Sequence, residues 1–575
     1  METTTPVLGR NPPGIAPYTL VCDYGSGWTK ATLFGKVGGT PRLIATRSVP
    51  TPTIDGLVPD LLAATLQAER AIRAMAGVPG FGSAEGDLYD LRAALLPVGS
   101  CAPPMSVVLA GVDSKAVRRV ASQLQEASYI REIHAGSIAD LLPAGRLPTG
   151  YRPDVVVLLE GQEPLPLAQQ QPLAQLLARV GADTRLVPVL HCVPEGVESA
   201  AAVMLGRMDT DVVRCDLLAR PPHGLGAVQR KLHVQYSRHS LWRASGAAQL
   251  PAHPTASFIS AAGCAMISAR YAAASGPGRL LLLDIGASSI TVCAAAGEDL
   301  TYKVLSGMGL GRGCAALYAR VGENNLRRWL PFEPRPDELS LCALRRSLHP
   351  AVQPLTLREA LVEQAFAREA IRLGITELAP VAPPDLVVGS GFLARGIGSR
   401  AASVVIADAL SQAQPSWRQV EVTVDSANAF VALGALAAID PELAGTVWDR
   451  DRPRTVTILL AARGGKREAP AVDVAASWQG GSMETTVLEG RLQRIHGAWD
   501  KDTSVQLTPL RGVKLAEARR KQPQTIALVM SDGNPLPELL LDTRLVSIRT
   551  ERRAESVARA LDSSGAYTAA ELQNL

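Results

Sequence analysis

Aromatic side chains are scarce in this chain of 575 residues: they make up 4% of it, against a hydrophobic fraction of 47%. Any core must therefore be packed mainly from Leu, Val, Ile and Ala. A strong charge of one sign is also lacking. The net charge is +4 with 19% charged residues, too mild a balance to argue for nucleic acid as a partner. Two basic clusters, Arg519-Arg520-Lys521 and Arg552-Arg553, read as solvated helix faces. The eight cysteines (Cys22, Cys101, Cys192, Cys215, Cys264, Cys293, Cys314 and Cys342) contain no Cys-x-x-Cys pair, and several sit in apolar runs, where a thiol behaves as a small hydrophobe. No histidine has a partner at metal-ligand spacing, and neither a Walker loop nor a Gly-x-Ser-x-Gly elbow occurs. No apolar run approaches the ~20 residues needed to span a bilayer. Residues 1–17 are polar and Pro-rich, which predicts a disordered lead without a signal peptide, and a reducing cytoplasmic setting.

Two turns stand out among what is present. One is Leu20-Val21-Cys22-Asp23-Tyr24-Gly25-Ser26-Gly27-Trp28-Thr29-Lys30 and the other Leu281-Leu282-Leu283-Asp284-Ile285-Gly286-Ala287-Ser288-Ser289-Ile290-Thr291-Val292. Each is an apolar run, an Asp, a Gly/Ser-rich turn and a second β-prone run, which predicts a hairpin. Glycine lets a ligand approach the backbone, whose N–H groups can cradle phosphate oxygens together with Ser hydroxyls. An Asp at the strand end can hold a metal-bound water. A third turn, Gly389-Ser390-Gly391, ends the apolar run Leu386-Val387-Val388 and leads into a helix-like stretch.

Around these turns the pattern predicts several units. Residues 18–445 read as a core with a strand meander from Tyr18 to Pro50. An α/β insertion lies near 100–195, where strand-like and helix-like text alternates. Residues 193–278 read as mostly helical. Pro441 to Pro453 reads as a linker, and 452–575 as a separate β-rich C-terminal domain.

Three such turns in this order resemble the actin, heat-shock-chaperone and sugar-kinase ATPase superfamily, as its two phosphate loops and its adenosine loop. The resemblance implies an α/β, two-lobed actin-like ATPase fold built from duplicated ribonuclease-H-like domains, with ATP and Mg²⁺ between the lobes. Asp23 and Asp284 would hold Mg²⁺ through water and serve catalysis. Gly25, Ser26, Gly27, Lys30, Gly286, Ser288 and Ser289 would bind the phosphates, and Gly389, Ser390 and Gly391 the adenosine. The second loop departs from the chaperone pattern: Thr291 stands where those proteins carry a further Asp, which implies slow hydrolysis. Within the superfamily the chain is most similar to the glutamate mutase accessory family, MutL or GlmL. The similarity rests on the first hairpin, Val49-Pro50-Thr51-Pro52-Thr53, Arg152-Pro153-Asp154-Val155-Val156-Val157-Leu158-Leu159, Asp284-Ile285-Gly286, and Ala432-Leu433-Gly434-Ala435-Leu436-Ala437-Ala438-Ile439-Asp440-Pro441-Glu442. It departs from that family at Glu160-Gly161-Gln162-Glu163, where an Ala-Gly-Gly-Thr turn is usual. The implied role is accessory or reactivating factor for a cobalamin-dependent mutase. An actin-like structural or scaffold protein, of filament, cell-division or pilus-assembly type, is the alternative. The partners expected are ATP and either a protein client or further copies of the chain.

Overall fold

A computed structural model describes residues 18–575, apart from 55–57, 77–92, 125–128, 251–258, 516–523, 528–536, 545–552 and isolated breaks of one to three residues. The expected lead 1–17 lies outside the described residues.

Two sheets share one topology. In the first lobe Tyr18–Tyr24 pairs antiparallel with Trp28–Val37, which pairs antiparallel with Thr40–Pro50. On its other side Tyr18–Tyr24 pairs parallel with Ala93–Gly99, and that strand pairs parallel with Ile259–Ser260. The second lobe repeats the meander with Arg279–Ile285, Ser289–Ala296 and Asp299–Ser306, then adds Leu386–Gly391 and Gln419–Val424 in parallel. Counted within each lobe, both orders are 3-2-1-4-5. This duplicated ribonuclease-H-like unit is the two-lobed fold expected from the turns. The first strand of each lobe is central, with neighbours on both sides. Leu20 to Cys22 and Leu280 to Leu283 are accordingly buried as continuous runs and do not alternate.

The insertion interrupts the first lobe between its fourth and fifth strands. It is an all-parallel sheet of Met105–Gly111, Ile130–Ser137, Val155–Leu159, Val189–Val193 and Thr210–Arg214, in the order 2-1-3-4-5. The helices Ser114–Leu124 and Leu167–Val180 accompany it. It runs beyond the expected limit near 195. Thr210–Arg214 is an edge strand with one buried residue, so its sequence lacks the apolar run that marked its neighbours.

The expected linker is a helix, Pro441–Asp451. Proline is tolerated in a first turn, where its missing N–H has no partner to lose. Asp440 caps the helix by accepting from Leu443 N at 2.9 Å, and Val447 and Trp448 are buried. Asp451 closes on Arg42 of the first lobe at 2.6 Å.

A β-rich C-terminal region follows and continues the second lobe's sheet. Thr455–Ala461 pairs with Gln419–Val424, Glu538–Asp542 pairs with Thr455–Ala461, and Leu492–Ile495 forms the edge, giving eight strands. A four-stranded sheet of Pro470–Trp478, Gly481–Leu488, Ser504–Pro509 and Gln524–Ala527 buries Val472, Val474, Val505 and Leu507 against Ile458, Leu460, Leu539 and Leu541.

The lobes are joined where the helices Ala261–Ser275 and Ala429–Ala437 cross. A Cβ at Gly434 would lie 1.9 Å from the Cys264 carbonyl oxygen, so glycine sets the closeness of this crossing. Gly434→Ala should cost about 1–3 kcal/mol through overpacking, read as a lowered thermal midpoint. An unchanged midpoint would mean that the helices part without cost.

Candidate functional site

The two hairpin turns meet across the lobes. A Cβ on Gly27 would lie 3.1 Å from Ala287 Cβ, 3.1 Å from the Pro350 carbonyl oxygen and 3.2 Å from Pro350 Cβ. Ser288 Oγ donates to the Ser100 carbonyl at 3.3 Å, tying the second turn to the first lobe.

Each turn is braced by a neighbouring segment. Thr51 N donates to Gly27 O at 3.0 Å and Thr51 Oγ1 to Gly25 O at 2.7 Å. Thr51 thus ties Val49-Pro50-Thr51-Pro52-Thr53 to the first hairpin. The Gly-rich stretch 307–313 performs the same task for the second. Leu310 N donates to Gly286 O, and Gly311 N and Gly313 N to Ala287 O, at 2.9–3.1 Å. A Cβ at Gly309 would come within 2.4 Å of Gly286 O. These bonds engage the turn carbonyls of Gly25, Gly27, Gly286 and Ala287, while side-chain atoms of Asp and Ser on the turns stay unpaired.

The third turn joins them through the sheet. Ser390 is the register partner of Asp284 and Gly391 of Ile285. Gly391 has φ +67°, and a Cβ there would sit 2.7 Å from Asp284 Oδ1. Gly389 O accepts from Asp425 N at 2.9 Å. The ends of three neighbouring strands thus present Asp284, Ser390 and Asp425 side by side.

Lys30 Nζ donates to Asp23 Oδ2 at 3.0 Å, with both side chains largely buried. Burial pulls the Lys30 ammonium down, but Asp23 and Asp284 outweigh it and hold its pKa above the usual value. The Asp284 carboxyl is raised by burial, with Lys30 opposing that rise. At the three turns, four buried side-chain atoms lack a partner at hydrogen-bond geometry: Asp23 Oδ1, Ser26 Oγ, and Asp284 Oδ1 and Ser390 Oγ from two residues paired in register. They come from all three turns. Buried polar groups are almost always paired, so such a cluster marks where a polar ligand is missing. Two carboxylate oxygens among hydroxyls and cations fit a hydrated metal ion carried on an anion. Among the described residues no group of three or more His, Cys, Asp or Glu could hold a metal ion unaided. That agrees with the habit of Mg²⁺, which takes one or two carboxylates, retained waters and phosphate oxygens.

Two charged residues join the site without a clear signal in the sequence. Asp425 is buried, its carboxyl pushed up to about 7 by that burial, and it accepts from Ala429 N at 2.7 Å and Phe430 N at 3.0 Å. Its only local signal was Asp-Ser-Ala-Asn ahead of an Ala-rich helix, which reads as a cap. Arg395, on the short helix after the third turn, stacks its guanidinium 4.5 Å from the ring centroid of Trp28 in the opposite lobe. Burial lowers its pKa to about 10, with Asp23 and Asp284 pulling the other way. The Asp23, Asp284 and Lys30 charges all act on it or are acted on by it, although none forms an ion pair with it.

All eight cysteines are free, seven of them buried. Among the described residues no helix is long and apolar enough to cross a membrane.

Duplicated 3-2-1-4-5 sheets, two opposed Asp-x-Gly turns and a Gly-Ser-Gly turn between them define an actin-like ATPase fold. Within that class the chain belongs to the MutL protein family, whose model matches residues 19–451. The C-terminal region lies beyond the match. No curated protein sequence matches the chain. Among solved structures it is similar to a nucleotide-free acetone carboxylase, with 10% identity, 81% of this chain and 80% of that one covered, and a TM-score of 0.34. It is also similar to a carbohydrate kinase from Novosphingobium aromaticivorans, with 15% identity, 74% and 91% covered, and a TM-score of 0.27. A third is the PilM-PilN type IV pilus biogenesis complex, with 15% identity, 75% and 100% covered, and a TM-score of 0.27. Likenesses of this size carry nothing about chemistry.

Proposed function

We propose that the protein binds ATP with Mg²⁺ in the cleft and acts as a slow ATPase serving a cobalamin-dependent mutase as accessory or reactivating factor. The observation that carries nucleotide binding is the set of four unpartnered buried polar atoms converging from three turns, flanked by Lys30 and Arg395. Ser26 and the glycines of the first turn would receive the phosphates with Lys30 as a point charge. Asp23 and Asp284 would hold Mg²⁺ through water, and Gly389, Ser390 and Gly391 would face the nucleoside. Bound Mg²⁺ would supply charge neutralisation at the phosphates. Thr291, buried and paired in register with Asp284, supplies no carboxylate to orient an attacking water. Turnover should therefore stay well below the ~10 s⁻¹ typical of enzymes.

Arg395 gives a direct test. A partly buried guanidinium with an aromatic face and no acceptor among the described residues is suited to an anion. Arg395→Ala should weaken ATP·Mg²⁺ binding about tenfold or more by calorimetry, while Arg400→Ala, on the exposed side of the next helix, should leave it unchanged. Equal affinities in both variants would remove Arg395 from the site.

A protein partner belongs to the reading. Leu341, Leu344, Leu348, Val352 and Leu355 are 39–89% exposed on one stretch that carries Pro350 against the first phosphate turn. An apolar surface coupled to the cleft suits a client whose grip changes with nucleotide, and it suits self-association in the scaffold alternative equally. A pull-down with and without ATP·Mg²⁺ separates them: capture of a mutase subunit favours the first, and nucleotide-dependent pelleting of the pure protein favours the second.

A further inference from the structure

A cavity of about 660 Å³ opens beside the two phosphate turns, and none of Asp23, Lys30, Asp284, Arg395 or the Gly389–Gly391 turn lines it. Its walls come from three parts of the molecule. Ser26 of the first lobe and Ser288 and Ser289 of the second form the side shared with the proposed phosphate site. Arg312, from the stretch that braces the second turn, and Arg131, from the insertion, bring two positive charges. The single carboxylate of the lining, Asp154, accepts from Ser106 N at 2.8 Å and Ser106 Oγ at 3.1 Å. These bonds hold it on the insertion side of the lining.

The remaining wall is mostly apolar, with Pro103, Pro104, Val58 and Tyr129 beside Ser100 and Ser306. That wall is firmly held: Tyr129 stacks on Tyr236 at 3.9 Å between ring centroids, and its backbone N donates to Ser306 Oγ at 2.9 Å. The volume falls within the ~300–1,000 Å³ of small-molecule sites, which likewise combine an apolar lining with a few convergent polar groups. Ser26, on the side shared with the proposed phosphate site, borders this cavity as well. It is 3% exposed and its hydroxyl has no partner.

We propose that this cavity is a second ligand site, for a small organic anion. Its phosphate or carboxylate group would pair with Arg312 and Arg131, and its apolar body would lie against Tyr129 and the prolines. Because the walls come from both lobes and the insertion, an occupied site would fasten the three together. The position of that anion next to a nucleotide phosphate rests on the proposed function, while the site itself does not.

The test uses the full chain, with phenyl phosphate and inorganic phosphate as probes in calorimetry, each with and without saturating Mg²⁺ and a non-hydrolysable ATP analogue. Phenyl phosphate should bind at least tenfold tighter than inorganic phosphate, and should still bind when the analogue is present. Arg312→Gln and Arg131→Gln should each weaken it about tenfold, as expected for one charge-assisted contact. Arg131 is exposed, so its variant reports on the site even if Arg312→Gln perturbs folding. Loss of phenyl phosphate binding in the presence of the analogue would mean that the anion had entered the phosphate turns, and would overturn a separate site. Equal affinity for the two probes, or indifference to both Arg substitutions, would overturn it as well. Failure of the analogue itself to bind, with anion binding intact, would refute the nucleotide reading alone.

Discussion

Cutting the chain after Asp451 is expected to give an aggregating fragment and not a working nucleotide-binding core. The cut removes Thr455–Ala461 and leaves Gln419–Val424 as a bare edge, and an unpaired edge strand is a template for aggregation. It also uncovers the second lobe's core. Val557, Ala560, Leu561 and Leu540 pack in one cluster with Phe366, Leu410 and Trp417, and burying each large apolar side chain is worth about 1.5–3 kcal/mol. Asp408 accepts from buried Arg368 at 2.6 Å and loses its second partner, Arg544, which lies 2.7 Å away. Together these losses are comparable with the ~5–15 kcal/mol by which domains are stable. We infer that 452–575 belongs to the body of the second lobe, against the separable domain expected from composition. The check is expression of 1–451 beside the full chain, followed by gel filtration and thermal melting. A monomeric fragment with a cooperative melt and undiminished ATP affinity would restore the two-part division.

The Asp23→Ala and Asp284→Ala variants should each lose at least tenfold in Mg²⁺-dependent ATP affinity, about 1.4 kcal/mol, yet differ in stability. Asp23→Ala strands the buried Lys30 ammonium without its 3.0 Å partner, and an uncompensated buried charge is strongly destabilising. Asp284 is different, because its folded-state pKa is raised. In the window between the ordinary carboxylate value and that raised one, the folded state holds a proton that the unfolded state has released. Stability therefore falls as pH rises through the window. Asp284→Ala should remove this contribution and melt at or above the wild-type midpoint at neutral pH, while binding ATP worse. The slope contributed by Asp425, raised to about 7, would remain. Calorimetry with matched melts from acid to neutral pH reads both quantities. Unchanged ATP affinity in both variants would refute the site, and a large loss of stability in Asp284→Ala would refute the electrostatic account.

What the sequence determined by itself was local. A strand, a glycine turn and a strand form one contiguous signal, so both Asp-x-Gly hairpins and the Gly-Ser-Gly turn were legible, and their order pointed to the fold. The end of the helix Leu167–Val180 is likewise local, because the αL residue Gly181 caps it. The tertiary structure decided what depends on distant neighbours. Asp425 and Arg395 reach the cleft only because parallel pairing sets Gln419–Val424 beside Leu386–Gly391 and because the lobes close Arg395 onto Trp28. In the chain, one looks like a helix cap and the other like a helix-surface charge. The C-terminal strands could be read one at a time from their alternation. Alternation says which face is buried, not which strand lies alongside. The hydrogen bonds that make them part of the second lobe join residues up to about eighty positions apart, such as Ile458 and Leu539, and no local pattern records that choice.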